Sequence, residues 1–269
     1  MSKRRTNSSK NAQYPLWQPN ELVALWILRG LNLGRAYEDI VENRSSWGRS
    51  VFYATGLDYP GREVDAKTLG RKIRGKLDWI ERRVPADTSD AGSNLEVLAD
   101  VIGLDAVSRD VLALCVHIRI EYGLQQCLEF HLKGRRCGVT EIAALLSAVL
   151  DCDSESVQTA LCPQGTLLRS GIVRLDHSPE YSDWPLDVAP FVFEAAVGGA
   201  VGREELMQRL IKPSPPSTLG INSFPHLKAD LRILLPYLEH AVRERMEGVN
   251  VLFHGAPGTG KTELCRLLG

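Results

Sequence analysis

The sequence predicts a mainly α-helical chain whose C-terminal stretch, residues 221 to 269, opens an α/β unit. Three observations support this. Apolar residues recur at three-to-four spacing through most of the 269 residues, and capping residues stand where such runs begin. A short apolar run, 249 to 254, then leads into a glycine-rich turn. At 44% hydrophobic the chain can bury a sizeable core, and its length suggests about two domains.

Composition excludes several classes. No run approaches the ~18 consecutive apolar residues that a membrane span requires, and no apolar core follows the basic N-terminal residues as in a secretory signal. A cytoplasmic protein without a membrane partner is expected. The six cysteines, at 115, 127, 137, 152, 162 and 265, lack the close pairing of a zinc site and fall mostly in apolar periodic segments, so buried thiols are expected. The six histidines, at 117, 131, 177, 226, 240 and 254, have no ligand or triad spacing. No serine or cysteine sits in a nucleophile elbow, which disfavours an independent hydrolase.

Residues 1–13 are polar and basic, with Lys3, Arg4, Arg5 and Lys10, and read as a disordered tail. Folded structure opens at Tyr14 to Trp17. Asn20 and Glu21 begin a helix with an apolar face of Leu22, Leu25, Trp26 and Leu28 to Leu31, ended by Gly34. Ala36 to Asn43 reads as a short helix, and Trp47 to Gly61 as a loop with one turn of structure. Ala66 to Val84 is a basic helix: Leu69, Ile73, Leu77 and Ile80 form one face, and Lys67, Arg71, Lys72, Arg74, Lys76, Arg82 and Arg83 decorate the others. Such a face is more commonly solvated than bound to nucleic acid, and Trp79 is expected to pack rather than to stack on bases. Residues 85–93 have linker composition and divide a helical basic unit, 14–84, from a second helical region, 94–211.

That second region has candidate helices at Leu95 to Ile102, Val107 to Ile120 and Leu124 to Leu132. Val139 to Leu146, a turn at Asp151 to Ser154, Glu155 to Leu161, and Leu167 to Leu175 then resemble a winged helix-turn-helix, about 139–176. Thr140 is expected to cap its first helix, Ser154 its second, and Gly171 to permit the break before a strand at Ile172 to Leu175. Asp151, Asp153 and Glu155, with no Lys or Arg before Arg169, give this element the wrong sign for a phosphate backbone. A protein contact is therefore preferred over DNA. Phe191 to Val201 reads as strand or helix and Glu204 to Ile211 as helix, and the proline-rich 212–220 as a hinge that cannot be regular structure. Pro225 to Glu244 is a helix, bent near Pro236.

Gly255-Ala256-Pro257-Gly258-Thr259-Gly260-Lys261-Thr262 fits the pattern Gly, four residues, Gly-Lys-Ser/Thr, behind the predicted buried parallel strand Val249 to His254. A triphosphate needs many donors, no intruding side chains and a countercharge. Gly255, Gly258 and Gly260 permit backbone that curls its amides around a phosphate, with Pro257 and Thr259 between them. Lys261 supplies charge toward the β- and γ-phosphates, the Thr262 hydroxyl ligates Mg²⁺, and a helix through Thr262 and Glu263 begins with its positive end toward the anion. ATP with Mg²⁺ is the expected cofactor pair, bound by Gly255, Pro257, Gly258, Thr259, Gly260, Lys261, Thr262 and Glu263.

These residues, with the strand ending at His254 and the approach Phe224-Pro225-His226-Leu227, resemble the phosphate loop (Walker A) of AAA+ ATPases, Ala256 replacing the usual first proline. The specific resemblance covers about residues 221 to 269, and the architecture is similar to bacterial members with large helical N-terminal regions. It implies the start of an α/β P-loop NTPase domain, a homo-oligomeric ring, and ATP hydrolysis coupled to remodelling of a protein client or adaptor. It also implies that Ser223 and Phe224 lie near adenine, with core packing of Phe224 as the alternative. The acidic pair (Walker B), sensor and arginine fingers of such enzymes would lie beyond Gly269. The chain is thus expected to be the N-terminal part of an ATPase, binding ATP without turning it over and contributing no catalytic residue.

Net charge is −1, but residues 1–84 hold 16 Lys and Arg against 9 Asp and Glu, and the remainder holds 16 against 24. The alternative reading follows from this asymmetry: a nucleic-acid-binding regulator with a P-loop switch domain and a basic N-terminal grip.

Overall fold

The structure is a computed structural model that describes residues 20–42, 47–60, 64–83, 89–133, 138–175, 184–210, 214–246 and 248–268. The expected tail, 1–13, and the opening Tyr14 to Trp17 lie outside the described residues. The chain forms two units, one reaching to Leu210 and one starting at Ile211.

Asn20 opens the first helix, α1 (Glu21–Asn32), its side-chain oxygen accepting the N–H groups of Leu22 and Val23. This helix is buried around most of its circumference, because α3 (Gly48–Thr55), α4 (Ala66–Glu81), α7 (Tyr122–Leu132) and α8 (Val139–Leu150) all pack on it. Between α1 and α3, Gly34 takes a left-handed conformation and α2 (Tyr37–Glu42) follows. The existence of α3 corrects the expected loop at 47–61. No side chain caps it at Trp47 and it starts at glycine, so its local sequence carries no start signal, and the burial of Val51, Phe52 and Ala54 makes it a helix.

Asp65 caps α4 by accepting the Thr68 N–H, which with the Thr68 hydroxyl holds its carboxylate below the usual range. Leu69, Ile73, Leu77 and Ile80 form the buried stripe that the spacing predicts. At Gly70 the helix approaches α2 so closely that a Cβ would overlap the Tyr37 ring.

Ser89 accepts the Gly92 N–H and starts α5 (Asp90–Ile102), so the helix begins inside the stretch expected as linker, of which 84–88 lie outside the described residues. Asp105 caps α6 (Ala106–Ile120). Helix α8 is started by Gly138, whose N–H donates to Glu141, rather than by Thr140. Asp153, rather than Ser154, caps α9 (Ser154–Ala160), because its carboxylate reaches the Ser156 N–H at 2.8 Å. After α10 (Thr166–Arg169), Gly171 at φ +72° turns the chain into β1 (Val173–Leu175). This strand pairs antiparallel with β2 (Leu186–Val188), Val173 opposite Val188. Helices α11 (Pro190–Val197) and α12 (Arg203–Leu210) close the unit. Buried side chains from α1 through α12 join one continuous core, so the regions on either side of residue 89 share their apolar interior.

In the second unit, two 3₁₀ turns (Ile221–Ser223, Pro225–Leu227) lead into α13 (Lys228–Arg243), which runs through Pro236. Helix α14 (Lys261–Leu268) follows the glycine-rich loop. Phe224, Leu231 and Leu264 make a small core of their own. The predicted buried strand at 249–254 is corrected: these residues join no ladder among the described residues, and Leu252 is 86% exposed. A strand exists only through partners for its N–H and C=O groups, and none of the described segments of this unit supplies them.

Candidate functional site

The loop between residue 254 and α14 bends as its glycines allow. Gly255, Gly258 and Gly260 have φ of +150°, +81° and +83°, conformations that an L side chain rarely adopts. Pro257 restricts the turn between them, and the Thr259 hydroxyl ties it by donating to the Ala256 carbonyl at 2.9 Å. Gly260 carries a second constraint. A Cβ there would stand 2.9 Å from the Phe224 ring, so the last glycine of the loop rests on an aromatic wedge.

Among the described residues, no carbonyl takes the N–H groups of Gly258, Gly260, Lys261 or Thr262. These donors cluster at the start of α14, where the helix dipole adds its positive end. Lys261 leans over the same loop: its ammonium donates to the carbonyl oxygens of Gly255 at 2.9 Å and Ala256 at 2.7 Å, and lies 3.4 Å from Thr259 Oγ1. Among the described residues it has no ion pair. Thr262 is exposed, and its hydroxyl makes no protein hydrogen bond among the described residues. Among the described residues the arrangement therefore offers amides without a partner, an ammonium held by uncharged loop oxygens and an unbonded hydroxyl within one turn, a donor set that suits a polyphosphate with its Mg²⁺.

Glu263 behaves differently from its neighbours. Its carboxylate accepts the Thr218 N–H at 3.0 Å, the Ser217 and Thr218 hydroxyls and the Arg266 guanidinium. The Thr218 N–H, then Arg266, hold it below the usual carboxylate range. Glu263 thus points back to the chain segment before α13, and it serves the loop as an anchor. Ser217 and Thr218, in the stretch expected as hinge, enter the site through it; an ST pair 45 residues before a Glu has no sequence signature. Phe224 is 3% exposed in the core under Gly260, which settles its role as packing. Ser223 lies in the preceding 3₁₀ turn.

A cavity of about 500 Å³ adjoins the loop within this unit, lined by apolar Leu231, Leu234, Val251 and Leu264, with Asp230 and Lys261 among its polar residues. Elsewhere, Asp151 accepts from the Arg29 guanidinium, Asp153 is used as a cap and Glu155 is solvated, so one carboxylate of the acidic turn between α8 and α9 is paired with a cation and the other two face solvent. Cys115 and Cys127 are buried, and burial pushes both thiols up to about 12. No group of His, Cys, Asp and Glu suited to a metal ion occurs among the described residues, and none of their helices is long and apolar enough to cross a membrane.

Comparison with known proteins found no matching family model, no similar curated protein and no similar solved structure.

Proposed function

We propose that the second unit binds ATP with Mg²⁺ through residues 255–262, in the manner of the phosphate loop of AAA+ ATPases. The observation that carries this reading is the set of amides at Gly258, Gly260, Lys261 and Thr262 that have no partner among the described residues, beside the Lys261 ammonium on a loop bent by three glycines of positive φ. Lys261 would leave the loop carbonyls for the β- and γ-phosphates, Thr262 would ligate the metal, and Glu263 would keep the loop anchored to Ser217 and Thr218. In the larger activity this implies, a ring of subunits couples ATP hydrolysis to remodelling of a protein client.

In this reading α8 to α10 with the β1–β2 hairpin form a winged-helix-like module that meets a protein. Its support is electrostatic: Asp151, Asp153 and Glu155 edge the second helix and would repel a phosphate backbone.

The test is titration of the whole chain with a fluorescent ATP analogue in Mg²⁺. Lys261→Ala is expected to weaken binding roughly 10- to 150-fold, the loss of a charge-assisted hydrogen bond worth about 1.5–3 kcal/mol, and chelating the metal is expected to weaken it further. A folded wild-type chain without affinity for the analogue refutes the proposal.

A further inference from the structure

The first unit holds a second anion-directed surface, independent of the phosphate loop. On α4 the residues Lys72, Lys76, Trp79 and Arg83 are spaced by four, three and four, which places them in one stripe along the helix and its C-terminal turn. The stripe rises about 16 Å, eleven residues at ~1.5 Å each. At its centre the Trp79 indole is 46% exposed, although the apolar stripe of the same helix is wholly buried. Two cations attend the ring: Lys76 Nζ lies 4.7 Å from its centroid and Arg83 Cζ 4.6 Å.

The surrounding charge is mostly positive, with Asp65 at the start of the helix the acid that feels Arg71 and Lys67. Lys67, Arg71 and Arg74 stand exposed on the adjoining strip and, like Lys72 and Lys76, have no ion pair among the described residues. Arg83 meets Glu21 only at 3.7 Å with both side chains largely solvated. Of the acids on the helix, Asp78 is exposed and Glu81 is taken by Arg29 at 3.1 Å.

We propose that this stripe of α4 binds single-stranded nucleic acid, a base stacking on Trp79 while Lys72, Lys76 and Arg83 meet the flanking phosphates. Flexible cations beside an open indole suit a ligand that alternates a planar ring with an anion, and stacking of this kind tolerates any base. On α4 Trp79 is the one large apolar side chain left exposed, too little to bury a helix face in an anionic membrane, and the vesicle arm of the test below separates the two. An acidic protein surface could use the cations, but it does not repeat a planar ring between anions, the feature that Trp79 between Lys76 and Arg83 matches.

The experiment is fluorescence anisotropy of labelled single-stranded DNA and RNA of about 20 nucleotides, titrated with the whole chain at salt from roughly 50 to 200 mM. Expected is binding whose log affinity falls with log salt at a slope of about −2, three contacts at roughly −0.7 each. Combining Lys72→Glu, Lys76→Glu and Arg83→Glu should abolish it. Trp79→Ala should weaken it about tenfold and leave the slope unchanged. All four side chains are at the surface, and an unchanged circular dichroism spectrum verifies folding of each variant. The proposal is overturned by no binding at the lowest salt, by binding that survives the charge reversals, by Trp79→Ala without effect, or by equal affinity for poly-glutamate or for vesicles of anionic lipid.

Discussion

Asn94 offers the sharpest test of how the first unit is held together. It is fully buried on α5, and its amide nitrogen lies within 3.4 Å of the carbonyl oxygens of Ala195, Ala196, Gly198 and Gly199, at 3.0 Å from that of Ala196. Its amide oxygen accepts the Val201 N–H at 3.1 Å. One side chain therefore satisfies the orphan carbonyls at the end of α11 and turns the chain toward α12. Asn94→Ala leaves about three of these backbone groups without a partner. At about 1 kcal/mol each, the low end for a partly solvated group, the loss is about 3 kcal/mol. All five tryptophans precede Gly198, so their fluorescence during urea unfolding reports on the first unit alone. With a slope of ~2.5 kcal/mol per molar urea, the midpoint should fall by about 1.2 M. Asn94→Asp is nearly isosteric but turns an oxygen toward the same carbonyls, so at neutral pH it should cost more than alanine. A midpoint shift below about 0.3 M for alanine, or an aspartate variant as stable as the wild type, would refute the clamp.

Other outcomes follow from single sites. Gly260→Ala sets a Cβ against Phe224 at a φ of +83° and should weaken binding of the ATP analogue roughly 5- to 150-fold, the equivalent of about 1–3 kcal/mol of strain, read in the same titration. The Glu263 carboxyl is held below its ordinary 4.5, so its contribution is present above that pH and is lost as pH falls through the depressed folded value. Glu263→Gln should accordingly lower the protection of the Thr218 amide at neutral pH, as acid should in the wild type, measured by hydrogen exchange and corrected for the intrinsic rate at each pH. A brief pulse of iodoacetamide read by mass spectrometry should label exposed Cys265 and spare Cys115 and Cys127 until denaturant is added.

The helices were legible where one stripe of apolar residues decided their fate. The Leu69, Ile73, Leu77 and Ile80 stripe of α4 is such a case, and so is the sharp turn of the glycine-rich loop, where Gly255, Gly258 and Gly260 take the positive φ that their residue type suggests. What the sequence hid was set by partners distant in the chain. Helix α3 has no start signal and exists because its Val51 and Phe52 face α1 and α7. The cap of α9 shifted by one residue because Asp153 and Ser154 are both good caps, and only backbone geometry chooses between them. The polar composition of 85–93 suggested a boundary, yet Ser89 and Asp90 in it are the start of a helix that shares the core of α1. Polar residues mark helix ends as readily as linkers, and composition alone does not separate the two.

The same ambiguity between packing and contact governs the two aromatic residues that bear on function, and burial resolves them in opposite directions. Phe224 was a candidate for touching adenine, but with its ring under Gly260 and beside Leu264 it is the support on which the loop stands. Trp79 was expected to pack, but the apolar stripe of α4 is complete without it, and its ring faces outward between Lys76 and Arg83. A buried ring beside a loop can influence a ligand only by holding the backbone that binds it. An exposed ring between two cations keeps a face in solvent that the core does not take from it. The first is explained by the fold, and the second is the surface that the proposed base stacking on α4 would use.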